Sequence, residues 1–247
     1  MNPILQKAKS VQRRITNGLK VAFLPEKFYL YPKKMYLYHN LSYSQEGEDM
    51  ILSRFFTEKN QGFYVDVGAH HPQRFSNTYH FYLQGWVGIN IDAKPGSMEV
   101  FNKIRPNDIN LEFAIYDSHQ VLTYYEFNEP ALNGFCYEMI KEQDGLGEYK
   151  IISQKKLCTY TLAEILEQYL PSNQEVDFLN VDVEGLDLQV LKSNNWEKYR
   201  PKLVLAEDLN ASLLSRIDES KIAVFMEKQD YKLYAKSVNT LIFITKS

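Results

Sequence analysis

The sequence has little cysteine and no long apolar run, and each shortage excludes a class of protein. Its two cysteines, Cys136 and Cys158, are too few for a disulfide framework and lack the paired spacing of a structural zinc site. The sequence contains no run of roughly 20 apolar residues that would cross a bilayer, and the N-terminus lacks the apolar core of a signal peptide. We therefore expect a cytoplasmic protein without a transmembrane segment.

The chain also lacks a strong charge of one sign. Its formal net charge is -3, which argues against a nucleic-acid-binding protein. Residues 1–40 are the exception, because they carry eight Lys and Arg residues against Glu26 alone. We predict a basic N-terminal arm over 1–40, either solvated or in contact with a phosphate-bearing substrate, a membrane or a partner, and one domain over 41–247. The oligomeric state is left open, with a homodimer as one alternative.

Short apolar runs alternate with amphipathic segments from residue 41 onward. Ser44 is expected to cap a helix that ends near Lys59. The segments that follow are strand 62–68, helix 77–84, strand 86–92, helix 97–103 and strand 109–115. Alternation of this kind predicts a parallel sheet with helices on both faces.

The second half of the chain continues the alternation after an interruption. Two extended segments, 122–127 and 149–157, flank a polar loop that we interpret as a lid. A capping box at Thr161 and Glu164 starts a helix to Leu170, and the later segments are strand 176–182, helix 186–192, strand 202–206, helix 213–228 and strands 232–235 and 241–245. The last two strands must be antiparallel because their connection is short. The prediction is an α/β fold with a mostly parallel seven-stranded sheet and a C-terminal antiparallel hairpin, whose ligands bind at the carboxyl ends of the strands.

Two strand ends carry residues suited to a nucleoside ligand. Asp66 and Gly68 end the first strand, where a glycine lets the backbone approach a ligand, and Asp92 ends the second, where a carboxylate can accept both hydroxyl groups of a ribose. The first turn lacks the G-x-G-x-x-G spacing that receives a pyrophosphate. This pattern favours S-adenosylmethionine over a nicotinamide dinucleotide and disfavours a nucleotide-sugar oxidoreductase or epimerase. The structural alternative is a turn glycine with two capping carboxylates.

Four motifs together resemble those of the FkbM family of S-adenosylmethionine-dependent methyltransferases. They are Ser44-Gln45-Glu46-Gly47-Glu48-Asp49, Asp66-Val67-Gly68-Ala69-His70, Asp182-Val183-Glu184-Gly185, and Glu207. The resemblance covers about residues 41–247. It implies a Rossmann-like class I methyltransferase fold and O-methylation, often of sugars in polysaccharide, glycolipid or natural-product pathways. By position, the cofactor would be bound by Asp66, Gly68, Ala69, His70 and Asp92, with Gln45 as an extra contact.

Histidines and carboxylates from neighbouring strand ends form a predicted catalytic cluster. Asp182 and Glu184 stand two residues apart, so both carboxylates would point to one side if the strand persisted. With Glu207 and His71 they are expected either to deprotonate the acceptor as a general base or to bind a divalent metal, iron or manganese. His70 is expected to face the cofactor. The structural alternative is that Glu184 caps a helix and the histidines shape the turn.

The substrate class follows from the resemblance, and most of the aromatic residues are expected in the core. Tyr124, Tyr125, Phe135 and Tyr137 flank the predicted lid and are candidates for stacking on a sugar. We expect a sugar or nucleotide-sugar acceptor, a precursor of a surface polysaccharide. The alternatives are a metal-free O-methyltransferase of a natural product or lipid, and a non-catalytic binding module that keeps the cofactor fold.

Overall fold

A computed structural model of the protein describes residues 40–211 and 213–246. The predicted basic arm, residues 1–40, therefore lies outside the described residues except for Asn40. Within the described part, none of the helices has both the length and the apolar character needed to cross a membrane.

The main sheet has seven strands in the order β3-β2-β1-β7-β8-β10-β9. Five strands are parallel, and β10 is antiparallel to both β8 and β9. These strands are β1 (Phe63–Val67), β2 (Val87–Asp92), β3 (Ile109–Glu112), β7 (Phe178–Val181), β8 (Leu203–Glu207), β9 (Tyr231–Lys236) and β10 (Thr240–Thr245). The predicted class I sheet with its C-terminal antiparallel hairpin is confirmed.

A second sheet is built from residues inserted between β3 and β7. Its order is β4-β6-β5, with β4 at Ala114–Ile115, β5 at Val121–Phe127 and β6 at Ile151–Tyr160. Strands β5 and β6 form a long antiparallel hairpin. The tip of this hairpin contains a 3₁₀ turn at Pro130–Leu132 and a helix, which bring it over the carboxyl edge of the main sheet.

Helices cover both faces of the main sheet, and one further helix lies at the tip of the β5–β6 hairpin. They are α1 (Glu48–Phe55), α2 (Tyr79–Tyr82), α3 (Met98–Ile104), α4 (Tyr137–Gln143, at the hairpin tip), α5 (Leu162–Tyr169), α6 (Asp187–Lys192) and α7 (Lys221–Lys228). Because side chains alternate along a strand, Val65 joins the core under α5, α6 and α7, whereas Tyr64 joins the core under α1 and α2. Asp66 points to the same side as Tyr64, toward α2.

Three predicted elements differ from the structure. The strand expected at 109–115 divides at Phe113, and β4 joins the second sheet through β6. The helix expected at 213–228 is a 3₁₀ segment, Leu214–Glu219, followed by α7, because Ser220 has an extended backbone and caps α7 by accepting from the Ala223 amide. The predicted lid is partly ordered as α4 rather than an irregular loop.

The start of α1 also differs from the sequence prediction. Ser44 was expected to be its cap, but the helix begins three residues later, after Gly47 with a φ of 87°. The Ser44 hydroxyl still accepts from the Gly47 amide at 3.1 Å and donates to Asp49 at 2.9 Å. It therefore stabilises the turn that precedes the helix. The capping box of Thr161 and Glu164 at the start of α5 is present as predicted.

Candidate active site

A cleft opens at the carboxyl ends of β1, β2 and β7, beneath the tip of the β5–β6 hairpin. Counted with the open solvent at its mouth, the space is about 1030 Å³. Of the residues predicted from the sequence, the cleft is lined by Gln45, Asp66, Gly68, Ala69, His70, Asp92, Asp182 and Glu184. These residues come from four separate parts of the chain and meet at the strand ends, where doubly wound sheets bind their ligands.

The turn after β1 needs a glycine for two reasons. Gly68 has a φ of 82°, in the left-handed region that other residues avoid. A Cβ at this position would also overlap the carbonyl oxygen of Asp182 at the end of β7. The amides of Gly68 and Ala69 donate to the carbonyl of Ile91 on β2. Gly68 therefore holds three strand ends close together.

Asp92 has the geometry expected of a ribose-binding carboxylate. It is 9% exposed; its Oδ2 accepts from the amide of His70 and its Oδ1 from the amide of Lys94, both at 2.8 Å. Burial raises the pKa of Asp92, and the two amide bonds oppose that rise. A carboxylate oxygen can accept more than one hydrogen bond, so each oxygen keeps a lone pair for a ligand hydroxyl. Asp92 thus fits an adenosine ribose.

Asp66 is bound to neutral groups of the protein through both of its oxygens. The Thr78 hydroxyl donates to Oδ2 at 2.8 Å and the Asn180 amide nitrogen donates to Oδ1 at 2.9 Å. Asn180 in turn accepts from the Nδ2 atom of Asn77 at 2.9 Å. Asp66 thereby connects β1 to β7 and to the start of α2. Thr78, Asn180 and Asn77 did not emerge from the sequence analysis, because neutral side chains on different elements carry no local signal.

The two histidines of the turn have different environments. His70 lines the cleft, and its backbone φ is 52°. Its buried Nε2 has no hydrogen-bond partner among the described residues. Burial, reinforced by the positive charge of Arg74, lowers the pKa of His70 to about 4, so the ring is neutral near pH 7. A left-handed backbone and an unsatisfied buried nitrogen are features that concentrate at binding sites.

His71 does not join the predicted catalytic cluster. Its Nδ1 accepts from the amides of Gln73 at 3.1 Å and Arg74 at 3.0 Å, so one ring nitrogen shapes the loop after the turn. The group of carboxylates with metal-ligand spacing in the described residues does not include it. The expectation that His71 would act together with Asp182, Glu184 and Glu207 is therefore not supported by the structure.

Three carboxylates converge at the ends of β7 and β8. One oxygen each of Asp182, Glu184 and Glu207 lies within 4.8 Å of the others, and we call these residues the carboxylate cluster. The strand does not persist to Glu184, contrary to the predicted alternation. β7 ends at Val181, and Glu184 reaches the cluster through a turn in which its φ is 54°. The second oxygen of Glu207, Oε2, is buried without a hydrogen-bond partner in the described part of the chain.

Burial and mutual repulsion raise the pKa of every member of the carboxylate cluster. The pKa rises to about 7 for Asp182, about 8 for Glu184 and about 10 for Glu207, with burial as the largest cause in each case. The neighbours that act on these pKa values also carry carboxylates, among them Asp66 and Asp187. The cluster can therefore share protons near neutral pH or accept a cation in their place.

The hairpin tip covers the cleft from above. Tyr124 and Phe135 line the cleft and contact each other with ring centroids 4.9 Å apart, whereas Tyr125 and Tyr137 pair with each other outside the cleft lining. Two of the four aromatic candidates thus line the cleft. The tip is tied to the loop after β1 by an ion pair between Arg74 and Glu129 at 3.0 Å.

The chain is similar to a known protein family in sequence and to a solved protein in structure. The family model for the methyltransferase FkbM domain matches residues 66–234, which run from the end of β1 into β9. No curated protein is similar enough in sequence to match the chain. A solved structure from Klebsiella pneumoniae, of a protein inferred to be an O-methyltransferase, overlaps with a TM-score of 0.40 and 10% identity over 100% of this chain and 91% of that chain.

Proposed function

The chain belongs to the family of FkbM-domain methyltransferases, and we propose that it transfers a methyl group from S-adenosylmethionine to a hydroxyl oxygen of a sugar. One observation carries the proposal. A carboxylate with two lone pairs free for a ribose, Asp92, lines the same cleft as Asp182 and Glu184, carboxylates that can take up a proton near neutral pH. A methyl transfer to oxygen needs both functions within one site.

The residues of the cleft fit the cofactor. S-adenosylmethionine supplies a methyl group on a positively charged sulfur. Asp92 would accept the ribose hydroxyls, Gly68 would allow the backbone to approach the ligand, and the unpartnered Nε2 of His70 offers a further polar contact. Tyr124 and Phe135 would cover the nucleoside from the hairpin side. Gln45, at the edge of the cleft, is a remaining candidate contact.

The carboxylate cluster would take the proton that the acceptor hydroxyl loses. When the oxygen forms its bond to the methyl carbon, the S–CH₃ bond breaks and its electron pair stays on sulfur. The hydroxyl proton must then leave. Asp182 and Glu184, with pKa values raised to about 7 and about 8, have the basicity expected of a general base that works near neutral pH.

We also propose that the carboxylate cluster can hold a divalent cation, to which all three members would contribute an oxygen. The buried and unpartnered Oε2 of Glu207 supports this proposal. Because His71 is not part of the set, the donors are all oxygen, and such a set suits manganese better than iron. A metal that binds here would lower the pKa of a coordinated hydroxyl. Chelation should then reduce turnover and leave S-adenosylmethionine binding intact, and the Glu207→Gln protein should no longer bind the metal. Full activity in the presence of a chelator would exclude a role for the metal, and base catalysis would remain as the mechanism.

The charge of the cleft constrains the acceptor. The carboxylate cluster offers a phosphate no positive charge, so the reacting hydroxyl should belong to an uncharged sugar ring. The phosphates of a nucleotide-sugar could lie toward Lys94, which lines the cleft, and Arg74, which stands over the ring of Phe75 at its mouth. A glycan precursor of a surface polysaccharide satisfies both conditions.

Transfer of an isotopically labelled methyl group tests the proposal. The protein is incubated with labelled S-adenosylmethionine and a panel of neutral glycans and nucleotide-sugars, and mass spectrometry locates the label. We expect label on a sugar hydroxyl with the native protein and a loss of at least about 100-fold in rate with Asp182→Asn. Thr161→Ala, at the start of a helix away from the cleft, is the control. A labelled nitrogen or carbon, or transfer unchanged in Asp182→Asn, would contradict the proposal.

The domain boundaries remain part of the proposal. Residues 41–247 would form the methyltransferase domain, and the basic arm over 1–40 would contribute to substrate or partner affinity through its charge. Removal of the arm should preserve cofactor binding and weaken the binding of phosphate-bearing acceptors. Equal binding of such acceptors to both forms would exclude this role for the arm.

A further inference from the structure

Few residues other than glycine have a left-handed backbone in the described part of the chain, and the costly ones gather at the cleft. The non-glycine residues with positive φ there are His70, Phe75, Asn173, Glu184 and Asp230. Asparagine and aspartate tolerate this conformation, and neither Asn173 nor Asp230 lines the cleft. The other three line it. Strained backbone concentrates at functional sites, and Phe75, as the bulkiest side chain, is the clearest outlier.

Hydrogen bonds on either side fix the backbone of Phe75, whose φ is 56°. The amide of Arg74, the preceding residue, donates to the Nδ1 atom of His71 at 3.0 Å. The amide of Ser76, the following residue, donates to the carbonyl oxygen of Tyr43 at 3.0 Å. A glycine would adopt this conformation without steric cost. The loop therefore keeps a phenylalanine where the backbone favours glycine, which indicates that the aromatic ring has a use there.

The ring of Phe75 belongs to neither core of the main sheet. Phe75 is 41% exposed and lines the cleft. The guanidinium carbon of Arg74 lies over the ring, 4.4 Å from its centroid, and the ion pair of Arg74 with Glu129 of the hairpin tip holds it there. The His70 ring is nearly parallel to that of Phe75, at 19°, with centroids 6.4 Å apart. Phe75 thus presents a fixed aromatic surface to the cleft and leaves much of that surface in water.

We propose that Phe75 is the platform on which the sugar ring of the acceptor stacks, and that it selects a pyranose among hydroxyl-bearing acceptors. The inference rests on the proposed function, to which it adds a residue that recognises the substrate. The face of an aromatic ring carries partial negative charge, and the C–H groups on one face of a pyranose carry partial positive charge. The two surfaces are therefore complementary.

The neighbours of Phe75 favour a sugar that carries a phosphate. A guanidinium has several N–H donors in a planar fork, and the bond from Arg74 to Glu129 uses one of them. Further donors of Arg74 can therefore bind a phosphate oxygen. Because Arg74 stands directly over the ring of Phe75, a phosphate bound there would bring the sugar attached to it beside that ring. The pair would thus recognise the phosphate and the sugar of one acceptor.

Two matched substitutions of Phe75 test the inference. The acceptor is the sugar that takes up label in the transfer experiment, and its KM and kcat are measured at saturating S-adenosylmethionine. Phe75→Leu keeps an apolar side chain and removes the flat aromatic face, so we expect KM to rise about three- to tenfold and kcat to stay within about twofold. Phe75→Tyr keeps the face and should restore the native KM. Tyr234→Leu changes an aromatic residue of similar exposure outside the cleft lining and should leave KM unchanged.

The affinity for S-adenosylhomocysteine, measured by calorimetry, separates this role from the alternatives. We expect its dissociation constant to change by less than about twofold in Phe75→Leu. An equal weakening of both ligands would mean that Phe75 contacts the cofactor or only supports the fold. That result, or an unchanged acceptor KM, would overturn the inference and leave the proposed function intact. If Phe75→Leu does not fold, Phe75→Gly decides, with a rise in KM at least as large, because glycine accepts the left-handed backbone. Absence of methyl transfer to any sugar would overturn the proposed function and this inference with it.

Discussion

Replacement of Asp92 by alanine should weaken the binding of S-adenosylmethionine by about 3–6 kcal/mol, or roughly 10²- to 10⁴-fold. Each oxygen of Asp92 already accepts one backbone amide at 2.8 Å and keeps a lone pair for one ribose hydroxyl. Two charge-assisted hydrogen bonds are therefore lost, each worth about 1.5–3 kcal/mol. Because the amides of His70 and Lys94 also lose their acceptor, the measured loss includes some rearrangement of the turn.

Calorimetry with a second ligand isolates the ribose contacts from that rearrangement. A cofactor analogue without the ribose 2′-hydroxyl should bind the native protein about 10- to 100-fold more weakly than the intact cofactor, and Asp92→Ala should bind the two equally. Glu112→Ala is a matched control. Glu112 ends the neighbouring strand β3 and also accepts from backbone amides, those of Gly96 and Met98. An Asp92→Ala protein that folds and binds S-adenosylmethionine with native affinity would refute the assignment.

Three further expectations follow from the geometry. Gly68→Ala should lower the free energy of unfolding, measured with urea, by about 1–3 kcal/mol because of the left-handed backbone alone, and by more because the added Cβ overlaps the Asp182 carbonyl. A variant with native stability would contradict the role given to this glycine. Thr161→Ala should cost about 1 kcal/mol without a change in ligand affinity, because it removes the capping box of α5 away from the cleft. The melting temperature of the metal-free protein should fall as pH rises from about 5 to about 9. The carboxylate cluster has higher pKa values in the folded state than in the unfolded chain, so the folded state binds more protons in this range and loses stability as they are removed. A melting temperature that rises over this range would argue against a protonated cluster.

The order of elements in the main sheet was accessible from the sequence because its signals are local. Apolar runs that end in Asp66-Val67-Gly68 or Asp92 indicate buried strands with polar carboxyl ends, and the capping box at Thr161 and Glu164 is a pattern within four residues. The antiparallel pairing of β9 and β10 was predictable because the connection between these two strands is short. These features depend on neighbours in the chain, so tertiary packing did not override them.

The wrong predictions involve partners that are distant in sequence or a local backbone turn. The segment 109–115 reads as one strand, yet β4 leaves the main sheet because it pairs with β6, about 45 residues later. The helix expected at 213–228 is interrupted because the Ser220 hydroxyl donates to Asp208 and caps α7. Each outcome depends on a contact that the local pattern does not encode.

The composition of the carboxylate cluster was predicted in part and for a partly incorrect reason. Asp182 and Glu184 do meet, although a left-handed turn at Glu184 brings them together rather than an extended strand. His71 shapes a loop instead of joining them. The buried bonds of Asp66 with Thr78 and Asn180 left no trace in the sequence, since threonine and asparagine are common in many surroundings.

A structure of the protein bound to S-adenosylhomocysteine would test the central claim most directly. We predict that both ribose hydroxyls donate to the oxygens of Asp92, that the turn at Gly68 contacts the ligand, and that the sulfur faces the side of the cleft formed by Asp66 and Asp182. Binding outside this cleft, or a ribose placed away from Asp92, would contradict the account.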